Sequence, residues 1–217
     1  MTDYALRRTK MVDSQVRPND VTKFPIIDAM LSVPREAYVP IAKREAAYIG
    51  DNLDIGGGRV LLEARSLSKM LDMLDIKADE LVLDLGVGLG YSTAVIAHLA
   101  EAVVAVEVDE ALAGEAQAVL AAQGVDNAAV VSGPLGEAAP KHGPYDVMTI
   151  QGAVEELPQA LVDQLKEGGR IAAFFNDGAL GSCRIGHKNG GKINWRHAFN
   201  AATPVLPGFE KSHAFVL

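Results

Sequence analysis

The feature that most constrains this chain is the run Leu81-Val82-Leu83-Asp84-Leu85-Gly86-Val87-Gly88-Leu89-Gly90-Tyr91. An apolar stretch of strand length enters a turn with three alternating glycines, and a helical pattern follows. A strand this apolar along its whole length suits a sheet covered on both faces, which is characteristic of parallel sheets. The rest of the chain repeats the theme. Ser92–Ala100 predicts a helix, Val103–Glu107 a strand, Ala111–Gln123 a helix and Ala128–Val131 a strand. Tyr145–Ile150 predicts a fourth strand, residues 158–165 a helix closed by Gly168-Gly169, and Arg170–Phe175 a fifth strand. Short strands alternating with helices of about ten residues read as βαβ units.

The first third reads differently. Met1–Val16 predicts a helix stopped near Pro18, and Val21–Ser32 a second one, with Ile26, Ile27, Met30 and Leu31 forming an apolar stripe. Asp51–Arg59, with three consecutive glycines, predicts a loop. Leu61–Leu74 again has helical spacing. Residues 182–217 read as strands with turns at Asn189–Gly191 and Pro207-Gly208, suited to antiparallel additions at a sheet edge. The chain is expected to form one domain over residues 1–217. Within it, residues 1–75 form a helical, loop-bearing part and residues 76–217 a core with C-terminal strands.

Bulk properties narrow the function. Of 217 residues, 49% are hydrophobic, enough to fill a core; only 6% are aromatic, and the formal charge is −8. The basic footprint of a nucleic-acid binder is missing. The single cysteine, Cys183, excludes an internal disulfide and a multi-cysteine zinc site. His142, His187 and His197 show no metal-ligand spacing, so no metal is expected. No apolar run approaches membrane-spanning length, and the polar N-terminus has no signal-peptide core, so the expected location is the cytoplasm.

The glycine loop carries the chemical signal. Glycine lets the backbone take positive φ and lets a ligand approach closely. A helix start beyond the loop offers free N–H groups. In open α/β sheets ligands collect at the carboxyl ends of strands, where this loop lies. The spacing here is G-x-G-x-G, not the G-x-G-x-x-G that dinucleotides prefer. Asp84 precedes the first glycine and would repel a pyrophosphate, yet suits a ligand ammonium or ordered water. Glu107, at the end of the next strand, can accept both hydroxyls of a ribose. Asp84, the loop and Glu107 together suit a nucleoside with a cationic tail and no phosphate, a description that S-adenosylmethionine meets.

At this point the sequence resembles the protein-L-isoaspartate O-methyltransferases, which methylate carboxylates of damaged aspartyl residues. The resemblance covers about Met11 to Phe175. It rests on Met11–Val16, on Ile26–Val39 with its Val33-Pro34-Arg35, and on Ala46-Ala47-Tyr48 followed by Leu53–Gly58. The glycine loop, Glu107, Pro144-Tyr145-Asp146 and Leu165–Arg170 follow in order. The resemblance implies a doubly wound, mostly parallel, seven-stranded Rossmann-like sheet with N-terminal helices. It also implies S-adenosyl-L-methionine as cofactor and a protein or peptide carboxylate as substrate, with no nucleic acid or membrane as partner. Carried onto this chain, the cofactor residues are Asp84, Gly86, Val87, Gly88, Gly90, Tyr91, Glu107, Val108, Gly133 and Pro134.

Two departures stand out. The family's substrate loop carries threonine and serine hydroxyls, and this chain has Val60 and Leu62 there. The family's Gly-Asp-Gly after the third strand is Gly133-Pro134-Leu135. Methyl transfer to a carboxylate needs alignment more than a base, because the nucleophile is already ionised at neutral pH. Arg59 and Arg65 flank the altered loop, and a guanidinium can clamp a carboxylate through two hydrogen bonds. They are the expected catalytic residues; the alternative is that they are solvated or pair with Glu63. Cys183 is expected in the core, and Trp195 and Phe199 are expected to pack against the sheet. Tyr48 suits either the cleft or packing, and Glu155 and Glu156 a solvated helix start. The N-terminal helices suit either a lid or a dimer contact through Met30, Leu31 and Val33. Two other readings stay open: a methyltransferase with a different acceptor, and a non-catalytic protein that keeps the cofactor fold.

Overall fold

The structure, a computed structural model, describes residues 3–177 and 180–211. The chain opens with α1 (Tyr4–Met11), capped by Asp3, whose carboxylate accepts the Leu6 N–H at 2.9 Å. The helical path continues through a wider turn at Val12–Val16 and a tight one at Arg17–Asn19, where Pro18 ends it. Met1 and Thr2 of the predicted first helix lie outside the described residues. The second helix, α2 (Phe24–Ser32), starts later than predicted because Pro25 fits only a first turn, where its missing N–H costs nothing.

Asp51–Arg59 turns tightly at its glycines, and the residues around that turn are paired strands where the sequence suggests a loop. It forms an antiparallel hairpin of β1 (Leu53–Gly56) and β2 (Arg59–Leu61). Gly56, Gly57 and Gly58 all adopt positive φ, between 59° and 94°, and this reverses the chain within three residues. Helix α3 (Ala64–Leu74) therefore begins three residues later than the spacing predicts, because Leu61 belongs to β2. Its Leu67, Met70, Leu71 and Leu74 are each at most 1% exposed. Burial of such a side chain contributes roughly 1.5–3 kcal/mol.

The core is the sheet. Its strands and connecting helices are β3 (Leu81–Leu85), α4 (Tyr91–Ala97), β4 (Ala102–Glu107), α5 (Glu110–Ala122) and β5 (Ala128–Ser132). They continue with β6 (Tyr145–Ala153), α6 (Gln159–Gln164), β7 (Leu165–Asp177), β8 (Leu180–Asn189) and β9 (Lys192–Asn200). The strand order is β5-β4-β3-β6-β7-β8-β9. The first four neighbouring pairs are parallel, and β8 and β9 add antiparallel at the edge. This is the predicted doubly wound, mostly parallel, seven-stranded sheet. The strand order reverses beside β3, the place where open α/β sheets bind ligands.

Alternate side chains of each strand fill two apolar layers. Val82, Val147 and Ala172 face the N-terminal helices, which share their core. Leu83, Met148 and Ile171 face the opposite layer with Leu161, Leu206 and Phe209. Met30 and Val33 belong to the first layer, at 0% and 3% exposure, and are core residues; Leu31, the third residue of the expected contact, is half-buried against the same core. Cys183 and Phe199 are buried as expected, and the Trp195 ring meets Phe175 edge to face at 5.0 Å.

Two motifs of the resemblance have structural work. Arg170 donates to the Leu74 carbonyl at 2.6 Å and grips Glu80 at 2.7 and 2.9 Å. Asp146 accepts from the Leu81 N–H at 3.0 Å and from Lys166 at 2.7 Å. Both tie the lower end of the sheet, away from the glycine loop. After β9 the chain returns to β6: the Ala153 N–H donates to Pro204 and the Leu206 N–H to Ala153, at 2.8 and 3.0 Å. Of the predicted tail, residues 212–217 lie outside the described residues.

Candidate active site

The glycine loop is built from below by Asp84. This fully buried carboxylate accepts four side-chain hydrogen bonds. Ser92 and Thr93 donate to Oδ2 at 2.7 and 2.8 Å; Thr149 and Gln151 donate to Oδ1 at 2.7 and 2.6 Å. A carboxylate has about four lone-pair sites, so none remains for a ligand ammonium. Burial pushes the Asp84 carboxyl above its ordinary value, and the four donors pull against that shift. Asp84 thus joins β3, α4 and β6 instead of reaching into a cleft, which corrects its expected role as a ligand contact. The sequence shows the acid but not its donors, which lie 8 to 67 residues away along the chain.

Above Asp84 the loop turns through Gly86, Gly88 and Gly90, with φ of 74°, 55° and 89°. Gly86 N–H donates to Val106 and Gly90 N–H to Val87, both at 2.9 Å. Glu107 closes the cradle from β4. Its Oε2 accepts the Gly88 N–H at 2.9 Å, and its Oε1 accepts the amides of Val108 and Asp109 at 2.9 and 3.2 Å. A carboxylate held this way by backbone is rigidly aimed across the glycine loop.

The hairpin supplies what it is aimed at. Arg59 Nε donates to both Glu107 oxygens at 3.1 Å, and Nη2 donates to Oε1 at 2.8 Å. The two side chains are 2% and 0% exposed. Both acceptor positions that a ribose would use are therefore filled by a guanidinium of the chain itself. Arg59 Nη1 is buried without a partner. An unmet buried donor costs about 1–3 kcal/mol, so the closed pairing carries its own penalty.

Hydrocarbon completes the closure. A Cβ on Gly88 would lie 2.5 Å from Ile55 Cδ1 of the hairpin; on Gly86, 2.6 Å from Leu206 Cδ1; on Gly152, 2.5 Å from Leu206 Cγ. The bare glycines do permit a close approach, as the sequence suggests, but the chain's own side chains make it. What remains between the hairpin and the loop is a cavity of about 10 Å³, lined by Tyr38, Leu62, Val87, Tyr91, Ser92 and Gln151 among others. That is the room of about one water molecule. The hydroxyls of Tyr38 and Tyr91 are buried without partners beside it.

The outer end of the cradle is more open. Val108 is 39% exposed, Gly133 is half-buried and Pro134 exposed, with the Gly133 N–H donating to the Glu107 carbonyl at 3.1 Å. Val87 and Tyr91 are buried at the inner end; Tyr91 lies under Arg35, whose Cζ is 4.8 Å from the ring centroid. Arg35 donates to the carbonyls of Ala47 and Leu62 at 2.6 Å each. The Val-Pro-Arg of the first third thus fixes the loop that holds Leu62.

The expected substrate clamp does not form as the sequence suggests. Arg59 is buried against Glu107 and presents no fork to a substrate. Arg65 is half-buried, bonds Asn19 at 3.1 Å and Glu63 at 3.3 Å, and sits over the Phe199 ring. The structure brings Glu107, Gly86, Gly88 and Arg59 together and leaves Arg65 apart. Besides the donors of Asp84, sequence reasoning missed Tyr38, Ile55, Leu206 and the pairing of Arg59 with Glu107. The only signal for the last was a lone cation directly after three glycines.

The polar groups of the cradle suit S-adenosylmethionine; as folded, Arg59 takes both Glu107 oxygens, and Ile55 and Leu206 cover Gly88 and Gly86.

A doubly wound sheet with a glycine loop after its central strand and a carboxylate on the next strand defines the class of nucleoside-binding Rossmann-like proteins to which methyltransferases belong. The family model for protein-L-isoaspartate(D-aspartate) O-methyltransferase matches residues 7–199. The chain belongs to this family. It is 36% identical to protein-L-isoaspartate O-methyltransferase 1 of Rhodopseudomonas palustris over 170 residues, 78% of this chain and 69% of that protein. It is also 36% identical to the protein-L-isoaspartate O-methyltransferase of Methanoculleus marisnigri, over 76% of each chain. A solved protein-L-isoaspartate O-methyltransferase superposes with a TM-score of 0.81 at 22% identity, covering 93% of this chain and 66% of that one. A beta-aspartate methyltransferase from Plasmodium falciparum, solved in complex with S-adenosyl-L-homocysteine, superposes with a TM-score of 0.78 at 18% identity, covering 95% and 99%. Among the described residues, no helix is long and apolar enough to cross a membrane, and no cluster of three or more His, Cys, Asp or Glu is placed to hold a metal.

Proposed function

We propose that this chain transfers a methyl group from S-adenosyl-L-methionine to a carboxylate of a protein or peptide, with isoaspartyl residues as the acceptor class. The observation that carries the reading is Glu107, held by three backbone amides at the carboxyl end of β4 and aimed across the glycine loop. That arrangement suits a ribose, in a chain whose family acts on isoaspartyl carboxylates. Gly133, Pro134 and Val108 flank the more open end, which suits the base.

The acceptor side differs from the sequence expectation. Val60 and Leu62 bring no hydroxyl to the inner cavity, and neither Arg59 nor Arg65 faces it. The polar side chains lining it are Ser92 and Gln151, which donate to Asp84, and Tyr38 and Tyr91, whose phenol hydroxyls have no hydrogen-bond partner. Two phenols can donate to a carboxylate without competing for the methyl group, since burial raises both above their ordinary pKa and keeps them protonated.

A second reading, a family member without turnover, is favoured by one specific observation: the Arg59–Glu107 pair and the Ile55 and Leu206 contacts fill the nucleoside position. Incubating the protein with S-adenosylmethionine and an isoaspartyl peptide, and looking for methyl ester, decides between them. Ester formation is the expected result. Cofactor binding without ester on isoaspartyl peptides points to another acceptor carboxylate.

A further inference from the structure

We propose that Arg59 is an internal occupant of the ribose position, and that the β1–β2 hairpin is a latch which must leave Glu107 before a nucleoside can bind. The inference rests on the cofactor reading above and adds a gate to it.

Three observations converge on it. Arg59 takes both Glu107 oxygens with donor geometry that two ribose hydroxyls would otherwise use. Ile55, from the facing strand of the same hairpin, fills the space over Gly88 that a ligand would need. The cavity left beneath the hairpin holds no more than about one water. A single segment, Leu53–Leu61, thus supplies both the polar and the apolar stopper. Its three-glycine turn adopts backbone angles that glycine reaches without strain, so it bends as readily when the hairpin is lifted. The three glycines of the tip are open to solvent, and a Cβ at Gly57 would meet only Leu112 Cδ1, at 3.7 Å; the hairpin's outer tie is Lys43, which donates to the Asp54 carbonyl and carboxylate at 2.6 and 2.9 Å. The unpartnered Nη1 of Arg59 makes the closed state less than ideal, which is what a releasable contact requires. Glu107 keeps its three backbone donors when the guanidinium departs, so the carboxylate stays aimed for the incoming hydroxyls.

The test uses S-adenosylhomocysteine, which binds without reacting, with the full chain, Arg59→Gln and Ile55→Ala. Affinity is read by calorimetry and hairpin opening by amide hydrogen exchange over residues 53–61. Arg59→Gln is expected to bind at least about tenfold tighter than the unmodified chain (1.4 kcal/mol). Ile55→Ala, which leaves the ion pair intact, is expected to bind a few-fold tighter and covers the case in which Arg59→Gln fails to fold. In the unmodified chain, saturating ligand is expected to speed exchange in the hairpin, the opposite of the protection that a bound ligand normally gives its contacts. Equal or weaker binding by both variants overturns the latch, as does an unmodified hairpin whose exchange slows or stays the same on binding. If no form binds, although exchange shows the Arg59→Gln hairpin released, the latch fails together with the cofactor reading. That outcome is distinguished from failure of the latch alone by the absence of heat in every titration.

Discussion

Replacing either partner of the Arg59–Glu107 pair is expected to cost stability unequally, and the inequality follows from what each partner keeps. The pair is bidentate, at 2.8 and 3.1 Å, and essentially without solvent. Two charges about 4 Å apart attract by about 4 kcal/mol at an effective dielectric near 20. Removing one partner of a buried pair typically costs about 3–5 kcal/mol, because the other charge is left behind. Arg59→Gln leaves a carboxylate still bonded by the Gly88, Val108 and Asp109 amides, so its cost falls near the lower end, about 3 kcal/mol. Glu107→Gln leaves a buried guanidinium facing a neutral amide with Nη1 already unmet, so its cost falls near the upper end, about 5 kcal/mol. At about 2–4 °C per kcal/mol for a chain of this size, the midpoints drop by roughly 6–12 °C and 10–20 °C. The double variant is expected to lose less than the sum, with a coupling of at least about 2 kcal/mol. Urea denaturation followed by circular dichroism, with unchanged m-values, measures all three. A Glu107→Gln that costs no more than Arg59→Gln, or a coupling near zero, would refute the argument, since the pair would then not be closed in solution.

Three further outcomes are expected. Gly152→Ala drives a methyl into three atoms of Leu206 at 2.5, 2.7 and 3.1 Å, and should cost about 1–3 kcal/mol by chemical denaturation; Leu206→Ala in that background should show the strain term removed, and strict additivity would contradict the contact. The thiol of Cys183 is buried and pushed up to about 12 by desolvation, so Ellman's reagent should leave the native protein untouched at pH 8 and react once urea unfolds it; prompt native reaction would mean that β8 opens. Lys77 and Lys23 hold the Asp75 carboxyl down at about 2. A lowered folded pKa contributes stability above the unfolded value near 3.8 and loses it as pH falls through the folded one. Asp75→Asn should therefore flatten the acid limb of the thermal midpoint between those values, and an unchanged limb would show that solvent screens the cluster.

The sheet was legible because its signals are local. The apolar run of β3, the glycines after it and the alternation of β4 through β7 are each readable within a dozen residues, and the strands formed within one to a few residues of their predicted ends; β7, the exception, starts five residues earlier. The hairpin's strands were not legible, since three glycines mark a turn but not the pairing of Leu53 with Leu61 on either side of it. Glu107 was singled out for its place at a strand end, which is a property of sequence order. Its partner was not, because Arg59 lies 48 residues away and reaches it only through the hairpin. The same blindness hid the four donors of Asp84 and the return of Leu206 to β6. Residue types that suit a ligand are visible in the sequence, whereas which of them the chain has already satisfied is a tertiary fact.

The fourfold bonding of Asp84 has a thermodynamic consequence for any nucleoside that enters. The glycine loop is shaped by groups beneath it and is already in place before a ligand arrives, so binding does not have to order it. The heat-capacity change of binding then reports mainly the exchange of apolar surface, with Ile55 turned out to water as the ligand is covered. Those two terms have opposite sign, and a gated cradle of this kind should bind with a smaller negative heat-capacity change than an open one of equal contact area.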